Sequence, residues 1–292
     1  MNQDRYAGLL DQLKPALQAL GIDDTSWDTC ARRTLYERVM TTDAGKSRKI
    51  LGTSVKIEKG EKVGVLTAVL YLSASTRSGV NLCPWASAGC AAACLGHTTG
   101  RLLMNQAQRA QLYKTVAWLV GREWFLSQLD DEIRKHARRA ERLGMRCAVR
   151  LNGSSDILWE RHGVPQRHPD VEFYDYTKAP LSARRNRPSN YHLTFSLDER
   201  EVSEARAMEW LTQGGNVAMV VAAAGSASKS LAQDVAQGLV RSGHHGFNAV
   251  DGDETDIRMD DPPSSWVVLY AKGGQALRDA TGFVRRFASE VL

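Results

Sequence analysis

The sequence predicts an α/β protein, a complete or partial (β/α) barrel with an N-terminal helical cap. Three observations lead there. From about residue 50 onward, short apolar and β-branched runs alternate with helical stretches, the pattern of a parallel sheet with right-handed crossovers. Six or seven such strands occur without a Gly-x-Gly-x-x-Gly turn, which favours barrel-like closure over an open dinucleotide-binding sheet. With 292 residues and 43% hydrophobic content, the chain can bury a core of that size.

In chain order, Leu9, Leu10, Leu13, Leu17 and Leu20 recur at helical spacing and predict a helix over 5–20 that crosses Pro15. A second helix is predicted over 25–40, with Thr25 or Ser26 as its cap. These form a helical cap, residues 1–48, ahead of a barrel-like domain over 49–292 with a cysteine-rich loop at 83–97. The joint contains Gly45-Lys46-Ser47, but Met40 stands where a phosphate-binding loop needs its first glycine, so that motif is rejected. The run at 63–72 is the first core strand, and the cysteine loop follows it directly. A long helical region fills 103–143, broken at Gly121. Strands are predicted over 146–156, 171–180, 191–200 and 216–225, with helices after the last two. "GFNAVDGDETDIR" and "SWVVLYAKGG" supply the final pair.

If the strands are parallel, the polar residues at their C-terminal ends share one face, where barrel enzymes place their sites. Asp156, Asp198 and Asp253 are the candidate catalytic acids on that face, since converging carboxylates can act as general bases or hold a cation. Each also reads as an acid in an exposed turn. Tyr174 and Tyr176 lie on one strand face and either stack on a substrate or pack; Lys178, at the same strand's end, meets a phosphate or a carboxylate. "DGDETD" lacks the spacing of a calcium loop. His244 and His245 follow Gly243 in a polar turn that reads as exposed, and no Ser-His-Asp arrangement is supported by spacing.

The net charge of +5 is modest, but its placement is uneven. Residues 133–146, "IRKHARRAERLGMR", carry six Lys/Arg against one Glu, and Arg184, Arg185 and Arg187 follow in "SARRNRP". These are solvated faces, or a surface for a nucleotide or nucleic-acid backbone with Arg184 and Arg185 as substrate contacts. The first twenty residues hold no apolar signal run, and no stretch of eighteen apolar residues occurs. The expectation is a cytoplasmic protein, with no membrane partner and an oligomeric state the sequence leaves open. Five cysteines, an odd number, argue against a secreted disulfide framework.

Three of those cysteines fall within "NLCPWASAGCAAACLGH" as Cys83, Cys90 and Cys94, with His97 close behind. The spacing Cys-x6-Cys-x3-Cys lets one compact loop wrap a single centre. With His97, three thiolates and an imidazole make a closed zinc site. Without it, three thiolates leave one position vacant, which suits a [4Fe–4S] cluster with an open iron. The third reading is buried thiols packed as small hydrophobes, which is also the expectation for Cys30 and Cys147.

Cys83-Pro84, Cys90, Cys94, "NGSSD", "YDYT" and "FSLDE" together resemble the bacteriophage gene product 88 family over residues 48–275, which implies phage origin, and the host bacterial cytosol, without an established activity. In architecture the chain also resembles radical S-adenosylmethionine enzymes: a three-cysteine loop after the first strand, a small polar turn after the second, "SLD" on the fourth. That family's usual spacing is Cys-x3-Cys-x2-Cys, and this chain has x6 and x3. The resemblance implies that Cys83, Cys90 and Cys94 ligate a cluster and that Asn152, Gly153, Ser154 and Ser155 touch S-adenosylmethionine. The expected function is a phage metalloenzyme with a three-cysteine iron–sulfur site acting on a nucleotide or nucleic acid. The alternatives are a zinc-stapled barrel that modifies nucleic acid by base exchange, and a nucleic-acid-binding factor without activity.

Overall fold

A computed structural model describes residues 3–22, 29–53, 59–94 and 104–288. Helices α1 (Gln3–Ala19) and α2 (Thr29–Met40) lead into β1 (Leu51–Gly52) and β2 (Val65–Leu70). The cysteine loop carries one short helix, α3 (Ala88–Ala92), and is followed by α4 (Asn105–Val120) and α5 (Arg122–Arg142). Then come β3 (Arg146–Arg150), β4 (Glu172–Thr177), β5 (Tyr191–Ser196), α6 (Glu201–Thr212), β6 (Asn216–Ala223) and α7 (Lys229–Ser242). The chain closes with β7 (Ala249–Asp251), β8 (Trp266–Tyr270), α8 (Gly273–Leu277) and β9 (Arg285–Phe287). Gly121 separates α4 from α5, as its place in the sequence predicts; the proposed caps Thr25 and Ser26 lie outside the described residues.

One sheet runs β1-β2-β3-β4-β5-β6-β8-β7, with β9 added to β6, and every pairing except β1 with β2 is parallel. The expectation of a complete barrel is corrected here: the sheet stays open. β1 borders β2 at one margin, β7 forms the other, and no pairing joins the two margins among the described residues. The connection between β7 and β8 shows why. Asp256 meets Arg150 at 2.6 Å, Asp260 meets Arg146 at 2.9 Å, and Ile257 packs with Val65, Ala148 and Tyr174. The segment therefore lies across the face of β2 to β4 that a closed barrel would turn to its interior.

The opposite face is apolar and helix-covered. Leu70, Val149, Phe173, Phe195, Met219 and Val268 alternate with the residues of the other face and share one core with α4 to α7. Leu10, Leu13 and Leu17 of α1 are buried in that same core. Each such side chain contributes about 1.5–3 kcal/mol relative to exposure and holds α1 to the rest of the molecule. No helix among the described residues is long and apolar enough to cross a membrane.

Candidate functional site

Parallel pairing from β2 to β8 sends the loops that follow these strands to one edge of the sheet, as the sequence predicts. The cysteine loop lies there, and hydrogen bonds stitch it to the neighbouring strand ends. Asp156 N–H donates to Leu82 O at 2.9 Å, and the Arg200 guanidinium donates to Trp85 O at 2.7 Å. Ser87 Oγ donates to one Glu199 carboxylate oxygen at 2.6 Å, and Gly89 N–H donates to the other at 2.9 Å. Ser87 also caps α3 by accepting from Cys90 N–H. Gly89 is required by this packing: a Cβ there would stand 2.8 Å from Phe283 Cβ and 2.9 Å from Glu199 Oε2.

Cys83, Cys90 and Cys94 are partly buried, and no disulfide joins them. Ser75, at φ 49°, donates its N–H to Cys83 Sγ at 3.4 Å. Burial pushes the Cys83 thiol up to about 12 against the pull of that N–H, and Asp156, Cys94 and Cys90 add to the rise. Cys90 is pushed up to about 11 by burial, with Lys178 opposing and Cys94, Asp198 and Asp156 assisting. The three thiols and two of the predicted acids therefore lie within electrostatic reach of one another. Among the described residues no three His, Cys, Asp or Glu side chains are grouped to hold a metal ion. The predicted fourth ligand, His97, lies outside the described residues, as does the side chain of Cys30. Cys147 sits half-buried on the helix-covered face against the core.

Two strand ends beside the cysteines carry opposite charges. Lys178, 6% exposed, donates through Nζ to Ser196 O at 2.9 Å, Ser196 Oγ at 3.0 Å and Leu197 O at 3.2 Å. It stands 3.9 Å from Asp198 and over the Phe283 ring. Burial pushes the Asp198 carboxyl up, but hydrogen bonds from Arg200 and the Lys178 charge outweigh it and hold it below the ordinary carboxylate range. Asp198 is thus a fixed anion.

Asp156 is equally committed. It accepts from Thr177 Oγ1 at 2.8 Å, from Lys178 N–H at 2.9 Å and from Arg184 at 2.7 Å. Arg184, 1% exposed, also bonds Glu160 at 2.8 Å. The expected substrate contact at Arg184 is therefore a core ion-pair centre that no nucleic-acid backbone reaches, while Arg185 is exposed. Asp253 bonds Lys272 and Tyr270 N–H at the ends of β7 and β8.

The small-residue turn after β3 spends its side chains on itself. Asn152 Oδ1 accepts from Ser155 Oγ, Ile157 N–H and Trp159 Nε1, and its Nδ2 donates to Ile157 O. Ser154 Oγ donates to Leu72 O. Gly153 has no room for a Cβ, which would meet Val69 Cγ1 at 2.6 Å. Tyr174 and Tyr176 point to the face crossed by the β7–β8 connection, with Arg150 over both rings at 5.6 and 5.4 Å. Tyr174 reaches Asp256 at 3.5 Å, so it is packed and bonded beneath that segment. Asp256 itself is 4% exposed and paired with Arg150, in contrast to the exposed acidic turn the sequence suggests.

Sequence reading missed Glu199, Arg200 and Thr177, which hold the loop, Asp198 and Asp156. The signal was local: Thr177 ends "YDYT", and Glu199 and Arg200 extend "SLD" at the end of a strand.

On the sheet's β2 side, Lys135, His136 and Arg139 of α5 face Arg48 and Lys49 across a groove of about 810 Å³, whose lining also holds Glu61, Asp131 and Glu132.

No curated protein and no solved structure matches this chain. The family model described as gene product 88 matches residues 42–286, which takes in the cysteine loop and every strand except the last residue of β9 while leaving out α1 and α2. The chain belongs to the gene product 88 family of phage proteins.

Proposed function

We propose that this protein is a metalloenzyme in which Cys83, Cys90 and Cys94 hold an iron–sulfur centre, acting on a nucleotide or nucleic acid. One observation carries the reading: three thiols from a single pinned loop gather at the strand ends of a parallel sheet beside a buried lysine. The donor set fits such a centre. A tetrahedral zinc, with Zn–S bonds of about 2.3 Å, draws its thiolates into van der Waals contact. A cubane's thiolates bind separate irons and stand further apart. A bound [4Fe–4S] centre with three protein ligands supplies one-electron chemistry and one iron open to a further ligand.

The chain's own residues do the rest. The Ser75 N–H donates to Cys83 Sγ and supports its thiolate form. Lys178 places a positive charge beside the Cys90 sulfur and offsets the negative charge that three thiolates bring. Glu199 and Arg200 fix the loop against β5. The turn at 152–155 does not fit the role implied for S-adenosylmethionine, because its side-chain oxygens are engaged within the turn and with Leu72, and no step is assigned to that cofactor. The substrate class rests on charge. Arg134, Lys135, Arg138, Arg139 and Arg142 of α5 are exposed, and Lys135 and Arg139 line a groove together with Arg48 and Lys49.

The test is anaerobic purification with visible absorption and iron, sulfide and zinc analysis on one sample. A brown protein with a broad band at about 400 nm and about four irons per chain is expected, with iron lost from each Cys→Ser variant. A colourless protein with stoichiometric zinc lost on His97→Ala overturns the reading and makes the loop a structural staple.

A further inference from the structure

A cavity of about 410 Å³ lies on the helix-covered face of the sheet, walled by the segment 279–287 whose other side packs against the cysteine loop. Its origin is a seam in the strand order. β5 pairs with β6 over three positions only, Thr194 with Asn216 to Ser196 with Ala218. Farther along, Val221 pairs with Tyr270 of β8 and also with Arg285 of β9. A strand residue has two edges, so β9 occupies the same edge of β6 as β5, beyond the point where β5 ends. Met219 lies between these two pairings and, with Leu197, forms the cavity floor.

Three aromatic rings, His244, His245 and Phe287, line the cavity beside four charged side chains. The His244 ring is 5.6 Å from Phe287 and 5.1 Å from Trp266, centre to centre, and His245 stands beside it at 4.0 Å. His245 is exposed at the rim, at φ 49°. The charged lining groups are two of each sign and each is hydrogen-bonded: Arg285 pairs with Glu204 at 2.6 Å, Arg286 donates to four backbone carbonyls, and Asp279 accepts from the N–H groups of Thr281, Gly282 and Val284. Arg285 Nε is buried and lacks a hydrogen-bond partner among the described residues. Burial, with the charges of His245 and Arg285, holds His244 down to about 4, so at neutral pH it offers one donor and one acceptor.

We propose that this cavity binds an uncharged planar heteroaromatic compound, a nucleobase or its nucleoside. The volume falls in the range of small-molecule sites, and the imidazoles and Phe287 offer stacking surfaces. Compensation of the surrounding charges disfavours a phosphate as the anchoring group. None of this depends on a metal at the cysteines.

Titration of the full-length protein with adenine, guanine, adenosine, cytidine and inorganic phosphate, followed by calorimetry and by the histidine ring signals in NMR, tests it. At least one base or nucleoside is expected to bind and to shift the His244 and His245 signals, with phosphate alone inert. Comparing adenine with adenosine tells whether the sugar adds affinity. Met219→Trp, which fills the floor, should abolish binding, and His245→Ala at the exposed rim should weaken it by about tenfold through the lost stacking surface. The His245→Ala comparison stands even if Met219→Trp fails to fold. Absence of any ring-signal shift with every base and nucleoside overturns the proposal, as does affinity unchanged in His245→Ala. A Cys83→Ser protein should bind as the wild type does, which separates this site's failure from that of the cysteine reading.

Discussion

Arg184 and Arg185 are neighbours with opposite fates, and their difference defines what a residue-scale reading can reach. Arg184 is sealed among Asp156, Glu160 and Thr177. Removing one partner of a buried ion pair strands the others without solvent, a cost of about 3–5 kcal/mol. Arg184→Ala is therefore expected to lower thermal stability sharply, whereas Arg185→Ala leaves the melting temperature within experimental error. If Arg185 also touches a nucleic-acid backbone, its loss should weaken binding to DNA or RNA of any sequence and flatten the salt dependence. Equal melting temperatures for the two variants would refute the core assignment of Arg184.

At the scale of elements, α3 is too short to hold itself. A five-residue helix lies below the length at which helices persist in water, so its order comes from outside contacts. Ser87 and Gly89, both bound to Glu199, are the main ones. Hydrogen bonds to a charged group contribute about 1.5–3 kcal/mol, so Glu199→Ala should speed amide exchange at Gly89 and Cys90 by roughly 10- to 100-fold. Amides in β5 and β6 should be unaffected. Unchanged exchange at Gly89 would show that the loop is held by other means. The same variant should lose bound metal faster if the cysteines carry one.

For the molecule as a whole, the open parallel sheet buries an acid where three strands meet. Asp175 accepts from Asn152 N–H and Tyr191 Oη at 2.8 Å each and from Leu151 N–H at 3.3 Å. Burial nonetheless raises its carboxyl to about 7, against the lowering pull of Arg150, Tyr191 and Asn152. The folded state thus holds this proton more tightly than the unfolded chain does. Its contribution to stability is full below about pH 4 and is lost as pH rises to about 7, on the order of 4 kcal/mol. Relative to Asp175→Asn, the wild-type urea midpoint should therefore fall across that window. His244, whose depressed value has the opposite effect over pH 4 to 6.5, is present in both proteins and cancels. Parallel pH profiles for the two proteins would contradict a protonated Asp175.

What the sequence determined by itself was local. The alternation of apolar runs with helical stretches yielded β2 to β8 and the helices between them, and Gly121 marked the break between α4 and α5. The cysteine spacing singled out one loop, because three thiols so close in sequence are close in space under almost any fold. The resemblance carried by "NGSSD", "YDYT" and "FSLDE" led to the right family. Closure, burial and partnership were decided only by the tertiary structure. Whether a parallel sheet closes depends on how its margins meet, and here the β7–β8 connection lies across the face that a closed barrel would turn to its interior. Nothing in the local pattern of 252–265 announces that. The same holds for Arg184, Asp156 and Asn152: a polar residue in a turn looks identical in sequence whether it faces solvent or ties strands together. The distinction is the set of long-range contacts that satisfies it, and that set exists only once the strands are in register.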